Sequence, residues 1–169
     1  MKAFVLALSL ATLSGPALAD YVTVEANGSV AEVSDRLVAA VEGAGARVFA
    51  RVPHSKGAMS VEMELEDAEL VIFGNPKLGT PALQQDIRAG LVLPLRVLVH
   101  DVDGQTVLTY ESVDAMFEGL EIAADAPFRA AMTGALSNLT GAAAGQSGGS
   151  APRAARGPRD IFTRKKADL

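Results

Sequence analysis

Two short stretches hold the residue types from which a site could be assembled. One is Arg51-Val52-Pro53-His54-Ser55, where an imidazole and a guanidinium flank the end of an apolar run. The other is Phe73-Gly74-Asn75-Pro76-Lys77-Leu78-Gly79-Thr80-Pro81. Gly74 and Gly79 have the spacing of a phosphate loop's two glycines. Thr80 follows Gly79 directly, however, where such a loop needs lysine and then Ser or Thr, and Lys77 lies inside the loop. Nucleotide binding is therefore not expected. What the loop offers instead is backbone N–H groups ahead of a helix expected to start at Thr80 (N-cap) and Pro81 (first residue). Such amides suit a small anion or carboxylate. The candidate ligand-binding residues are thus His54, Arg51, Gly74, Asn75, Lys77, Gly79 and Thr80, provided the two stretches converge. The same residues also have a structural reading: glycines for tight turns, prolines for rigidity, Thr80 for capping.

Catalysis finds less support. His54 could act as a general base toward Thr80 or Ser55, the nearby hydroxyls. There is no Gly-x-Ser-x-Gly elbow to hold a nucleophile. His100 with Asp101 and Asp103 suggests a metal, but the twelfth position counted from Asp101 is Ser112, so no bidentate glutamate closes a calcium loop. With two histidines and no cysteine, thiolate zinc sites, disulfides, a cysteine nucleophile and a lipid-bearing cysteine are excluded. No metal and no cofactor are expected. The chain reads as a non-enzymatic small-ligand-binding or interaction module. The alternatives are a hydrolase-like enzyme with His54 as base and a structural scaffold that dimerises.

The positioning elements follow from periodicity. Tyr21-Val22-Thr23-Val24 is a strand pattern, and Asn27-Gly28 a turn. Ser29 and Glu32 form a capping box ahead of Val30, Val33, Leu37 and Val41 at helical spacing. Residues 47–52 alternate as a strand, with Val48, Ala50 and Val52 on one side. Residues 54–63 suggest a short helix. Residues 69–73 read as a strand whose run Leu70 to Phe73 is continuously apolar, the pattern of a strand covered on both faces. A helix is expected from Thr80 to about Gly90, then a hairpin turning at Asp103-Gly104. Helices over 113–120 and 127–139 complete the chain. The fold class is α/β (α+β): a small mixed sheet of about five strands with helices packed on it.

The ends read differently from the middle. Lys2, the apolar run 3–13, the breakers Ser14, Gly15 and Pro16, and Ala17-Leu18-Ala19 have the order of a cleavable signal peptide over residues 1–19. The run is too short to span a bilayer, so export to the periplasm or beyond, with no membrane span after signal removal, is the expectation. Residues 20–140 form the expected single domain, with eighteen acidic against eight basic residues. That charge repels phosphate backbones and argues against nucleic acid as a partner. Residues 141–169, rich in alanine, glycine and arginine, lack the apolar content to offset their ordering and read as a disordered basic tail.

The loop 73–81 has companions: Val48-Phe49-Ala50-Arg51-Val52-Pro53-His54 upstream, and Leu93-Pro94-Leu95-Arg96-Val97-Leu98-Val99 with Asp103-Gly104 and Tyr110 downstream. In this order they resemble the family called domain of unknown function 302, over about residues 21–117. The resemblance implies a small α/β fold, often a homodimer, and no established activity. The carboxylates Glu62, Glu64, Glu66, Asp67 and Glu69 and the basic tail depart from the family pattern.

Overall fold

The computed structural model describes residues 20–145; the expected signal peptide and residues 146–169 of the expected tail lie outside the described residues. In chain order the elements are β1 (Tyr21–Glu25), α1 (Val30–Gly43), β2 (Arg47–Pro53), α2 (His54–Met59), β3 (Ala68–Gly74), α3 (Pro76–Gln85), β4 (Leu95–Val102), β5 (Gln105–Glu111), α4 (Val113–Met116) and α5 (Pro127–Ala144). The strands form one sheet in the order β1-β5-β4-β3-β2. Five strands were expected, but the sheet is antiparallel throughout instead of mixed. A parallel neighbour needs a crossover that carries the chain back along the strand. Here α2 and α3 hand the chain straight to an adjacent antiparallel strand, and α1 alone crosses from one sheet edge to the other.

α1 begins where the capping box places it. Ser29 Oγ accepts from the Glu32 amide, and the Glu32 carboxylate accepts from the Ser29 amide at 2.8 Å. A cap of this kind contributes about 1 kcal/mol. The helix buries Val33, Leu37 and Val41. With Met132 and Leu136 of α5 they pack on Val71, Phe73, Val97, Val99 and Leu108 of the sheet. Each such side chain contributes about 1.5–3 kcal/mol by leaving water. Both long helices lie on this one face. The other face carries Leu70, Ile72, Leu98 and Thr109, all half-buried, and Val52, exposed.

Five expectations need correction. β3 is apolar on both faces, yet the described residues cover only one of them. In β2, a bulge between Val48 and Ala50 shifts the alternation. Val48 packs on the core, while Ala50 and Val52 oppose Ile72 and Leu70 on the open face, and Arg51 points to the helical side. α3 starts at Pro76, not Pro81, because Asn75-Pro76 is an earlier N-cap and first-residue pair; Pro81 lies inside the helix. The helix over 113–120 shortens to α4, and α5 runs past residue 140 to Ala144, with Thr140, Ala143 and Ala144 buried.

Candidate functional site

The end of the sheet at which β3 finishes is built around Gly74, which opposes Arg47. Phe49, the bulged residue of β2, leans over it. A Cβ on Gly74 would lie 3.4 Å from the Phe49 ring and 3.5 Å from the Pro94 Cβ, ordinary van der Waals distances. The Arg47 guanidinium lies 5.7 Å from the centre of the Phe49 ring, holding it by cation–π attraction. Asn75 then turns the chain into α3. Its Oδ1 accepts from the Lys77 amide at 3.0 Å, and its Nδ2 donates to the Gly45 carbonyl at 3.4 Å.

These elements enclose a hollow of about 280 Å³. Gly74, Asn75, Gly79 and Thr80, four of the seven expected residues, line it. So do Phe49, Leu78, Leu83, Leu93 and Met132, which sequence reasoning missed. The volume lies just below the usual range for drug-sized ligands and suits a small molecule. The character of the wall is apolar. The amides expected to receive an anion are spoken for: Lys77 N–H bonds the Asn75 side chain, and those of Leu78 and Gly79 donate to the Asn75 carbonyl at 2.9 and 3.0 Å.

His54, Arg51 and Lys77 do not join the hollow. Pro53 opposes Glu69 while Arg47 opposes Gly74. His54 and Gly74 therefore stand at opposite ends of the β2–β3 pair, about 17 Å apart at the rise of a strand. His54 opens α2, is exposed, and its imidazole makes no hydrogen bond among the described residues. Arg51 is engaged twice, with Glu69 at 2.6 Å and Asp35 at 2.7 Å. Hydrogen bonds to Glu69 and Asp35 raise the Arg51 guanidinium above its ordinary range, and the Arg51 bonds hold the Glu69 carboxyl below its own. The charge of Arg51 is thus used within the fold.

Two other polar sites invite chemistry. Asp86 caps the 3-10 turn Ile87–Leu91. Arg88 bonds to its carboxylate at 2.6 Å, and the Arg88 and Glu121 amides donate to it at 2.9 Å. These bonds, those from the Arg88 side chain first, hold the Asp86 carboxyl far below the usual range. On the open face, His100 Nε2 lies 3.0 Å from Thr109 Oγ1, and burial lowers its pKa. Among the described residues no three His, Asp or Glu side chains are grouped to hold a metal ion.

Comparison with known proteins agrees with the fold. The profile of the family described as "Domain of unknown function DUF302" matches residues 22–143. This chain belongs to the DUF302 family. The crystal structure of an uncharacterized conserved DUF302 protein from Bacillus stearothermophilus superposes with a TM-score of 0.67 at 15% identity, covering 73% of this chain and 97% of that one. At that identity the likeness concerns the fold alone. Among curated proteins, the DUF302 chain is 39% identical over 116 residues to "Fluoride-specific ion channel FluC 1" of Brucella suis biovar 1, covering 67% of this chain and 46% of that protein. It has the same identity to "Fluoride-specific ion channel FluC 2" of Brucella melitensis biotype 1, covering 43% of it. The chain thus spans less than half the length of these relatives. Among the described residues no helix is long and apolar enough to cross a membrane.

Proposed function

We propose that this chain is an exported, non-enzymatic binding and interaction module whose ligand site is the hollow between Phe49 and α3. The observation that carries the reading is the coincidence of Gly74, Asn75, Gly79 and Thr80 on one hollow whose remaining wall is apolar. The ligand it suits is small and largely apolar, with a polar group that can reach the exposed Thr80 hydroxyl. An anionic or carboxylate ligand fits less well, since the first-turn amides and Arg51 already have partners. The hydrolase alternative finds less support, since His54 stands at the far end of the sheet from Thr80 and its imidazole bonds to no hydroxyl, that of Ser55 included, among the described residues. Among the described residues one face of the sheet is left uncovered, and Leu70, Ile72 and Leu98 on it favour pairing with a second copy there.

Thermal denaturation against a panel of small alcohols, ketones and aromatic compounds tests the site. A shift that is lost in Gly79→Leu, which would fill the hollow, supports it. A panel without any shift, or one that shifts the variant equally, removes it. Sedimentation of wild type and Leu98→Glu tests the pairing, and a wild-type monomer would end that part of the proposal.

A second reading rests on the relatives. A protein named as an ion channel must cross a bilayer, and this chain matches less than half of each such relative. We infer that the matched part is an accessory domain and that this chain is its separate counterpart, working beside a membrane channel. Host cells lacking the chain should then become more sensitive to fluoride. Unchanged tolerance would sink this reading.

A further inference from the structure

The segment between α2 and β3 has the sequence Val61-Glu62-Met63-Glu64-Leu65-Glu66-Asp67, an apolar–acidic alternation with the period of a strand. Val61 and Glu62 close α2 in a turn, and among the described residues Glu64, Leu65 and Glu66 pair with nothing in the sheet. Val61, Met63 and Leu65 are 63%, 64% and 54% exposed, and Met59 just before them 73%. Among the described residues the backbone groups of Glu64, Leu65 and Glu66 make no hydrogen bond. The segment leads straight into β3, for the Asp101 amide donates to the Asp67 carbonyl at 2.9 Å and continues the β3–β4 ladder. An apolar row beside open backbone groups is a place where another strand can add.

The chemistry of the occupant follows from charge. Leu65, Glu66, Asp67 and Asp101 border a wide hollow of about 720 Å³, whose far wall includes Gly28 and Gly104. A second copy of the segment would set carboxylates against carboxylates, so a basic strand is required. The chain carries a basic segment of suitable composition outside the described residues. α5 ends beside this hollow: the Ala144 carbonyl accepts from the amide of Asn27, the neighbour of Gly28. Beyond Gly145 the sequence contains Arg159-Asp160-Ile161-Phe162-Thr163-Arg164-Lys165-Lys166, with a run of six residues, Gly145-Gln146-Ser147-Gly148-Gly149-Ser150, at its start. A tether of about fourteen residues reaches up to roughly 45–50 Å when extended. It would hold the basic segment at an effective concentration on the order of millimolar.

We propose that residues 159–166 of this chain dock along residues 63–67, Phe162 against Met63 and Leu65, and the cations against Glu64, Glu66, Asp67 and Asp101. The docked segment covers an edge that is otherwise open to strand addition by other chains.

Amide hydrogen exchange of the full chain at low salt tests this. Residues 64–66 should exchange at least tenfold more slowly than in a variant combining Arg159→Glu, Arg164→Glu, Lys165→Glu and Lys166→Glu, all outside the described domain. The protection should vanish at 0.5 M salt. It should return when the tail variant is combined with Glu64→Lys and Glu66→Lys. A carbodiimide should also join Lys165 or Lys166 to Glu64 or Glu66 in the unmodified chain. Equal exchange in the chain and its tail variant overturns the proposal, as does protection that the charge exchange fails to restore.

Discussion

The two ends of the β2–β3 pair carry opposite kinds of surface. Where Gly74 opposes Arg47, a bulge, a glycine and a capped helix close apolar side chains around a hollow. Where Pro53 opposes Glu69, the chain leaves the sheet through α2 into a row of exposed Met59, Val61, Met63 and Leu65. The residues that look most chemical belong to neither cavity. Arg51 is bound to Glu69 and Asp35, and His54 faces solvent. The difference teaches that ionisable side chains at strand ends do not mark this protein's hollow. It is marked by a strand irregularity and by apolar side chains that meet from distant parts of the chain, which leave little trace in residue chemistry.

The largest expected effect probes the closed end. Met132→Ala, at a side chain only 1% exposed on the hollow's wall, should cost about 2–5 kcal/mol in urea denaturation. Met63→Ser at the other end should change stability by less than about 0.5 kcal/mol. Equal losses would break the comparison. Acid comes next. Asp86 and Glu69 have depressed folded-state pKa values, so their stabilisation is full above about pH 4, the ordinary carboxylate range, and is lost as pH falls below it. His100, lowered by burial, adds a loss that begins as pH falls through about 6.5. Denaturation at pH 7, 5 and 3 should therefore show a progressive fall, with a shallower acid limb in Asp86→Asn. Breaking the pair at the open end costs less. Arg51 is 37% exposed, and Arg51→Ala should remove up to about 1 kcal/mol while the Glu69 carboxyl rises on NMR titration. The smallest effect has the opposite sign. A Cβ at Gly79 meets only the Leu93 Cδ1 at 4.0 Å, so Gly79→Ala should stabilise α3 by about 0.5–1 kcal/mol while narrowing the hollow. A destabilised variant would show that this end is packed more tightly than described.

Much of the fold is legible in local pattern. The capping box at Ser29 and Glu32, the amphipathic spacing of Val33, Leu37 and Val41, and the turn at Asp103-Gly104 each act within a few residues, and each appears where the pattern placed it. The candidate site was half legible. Gly74, Asn75, Gly79 and Thr80 stand out by type, and they meet on one wall. Phe49, Leu93 and Met132 come from three distant parts of the chain, and no local pattern says that they meet. Two local signals misled. Thr80-Pro81 competes with Asn75-Pro76 for the same helix start, and the earlier pair prevailed because its asparagine can cap Lys77 and bond Gly45 at once. Alternation in β2 was read as unbroken, and one bulge reversed the faces of Ala50, Arg51 and Val52.

By itself, the order of apolar, polar and turn residues determined that this chain forms a five-stranded sheet with helices upon it, because hydrogen bonding and burial over short spans leave few other choices. The tertiary structure decided which strands became neighbours, which face of the sheet the helices took, and that His54 and Gly74 lie at opposite ends of one strand pair. Those outcomes depend on contacts between residues far apart in the chain, whose energies no local pattern records.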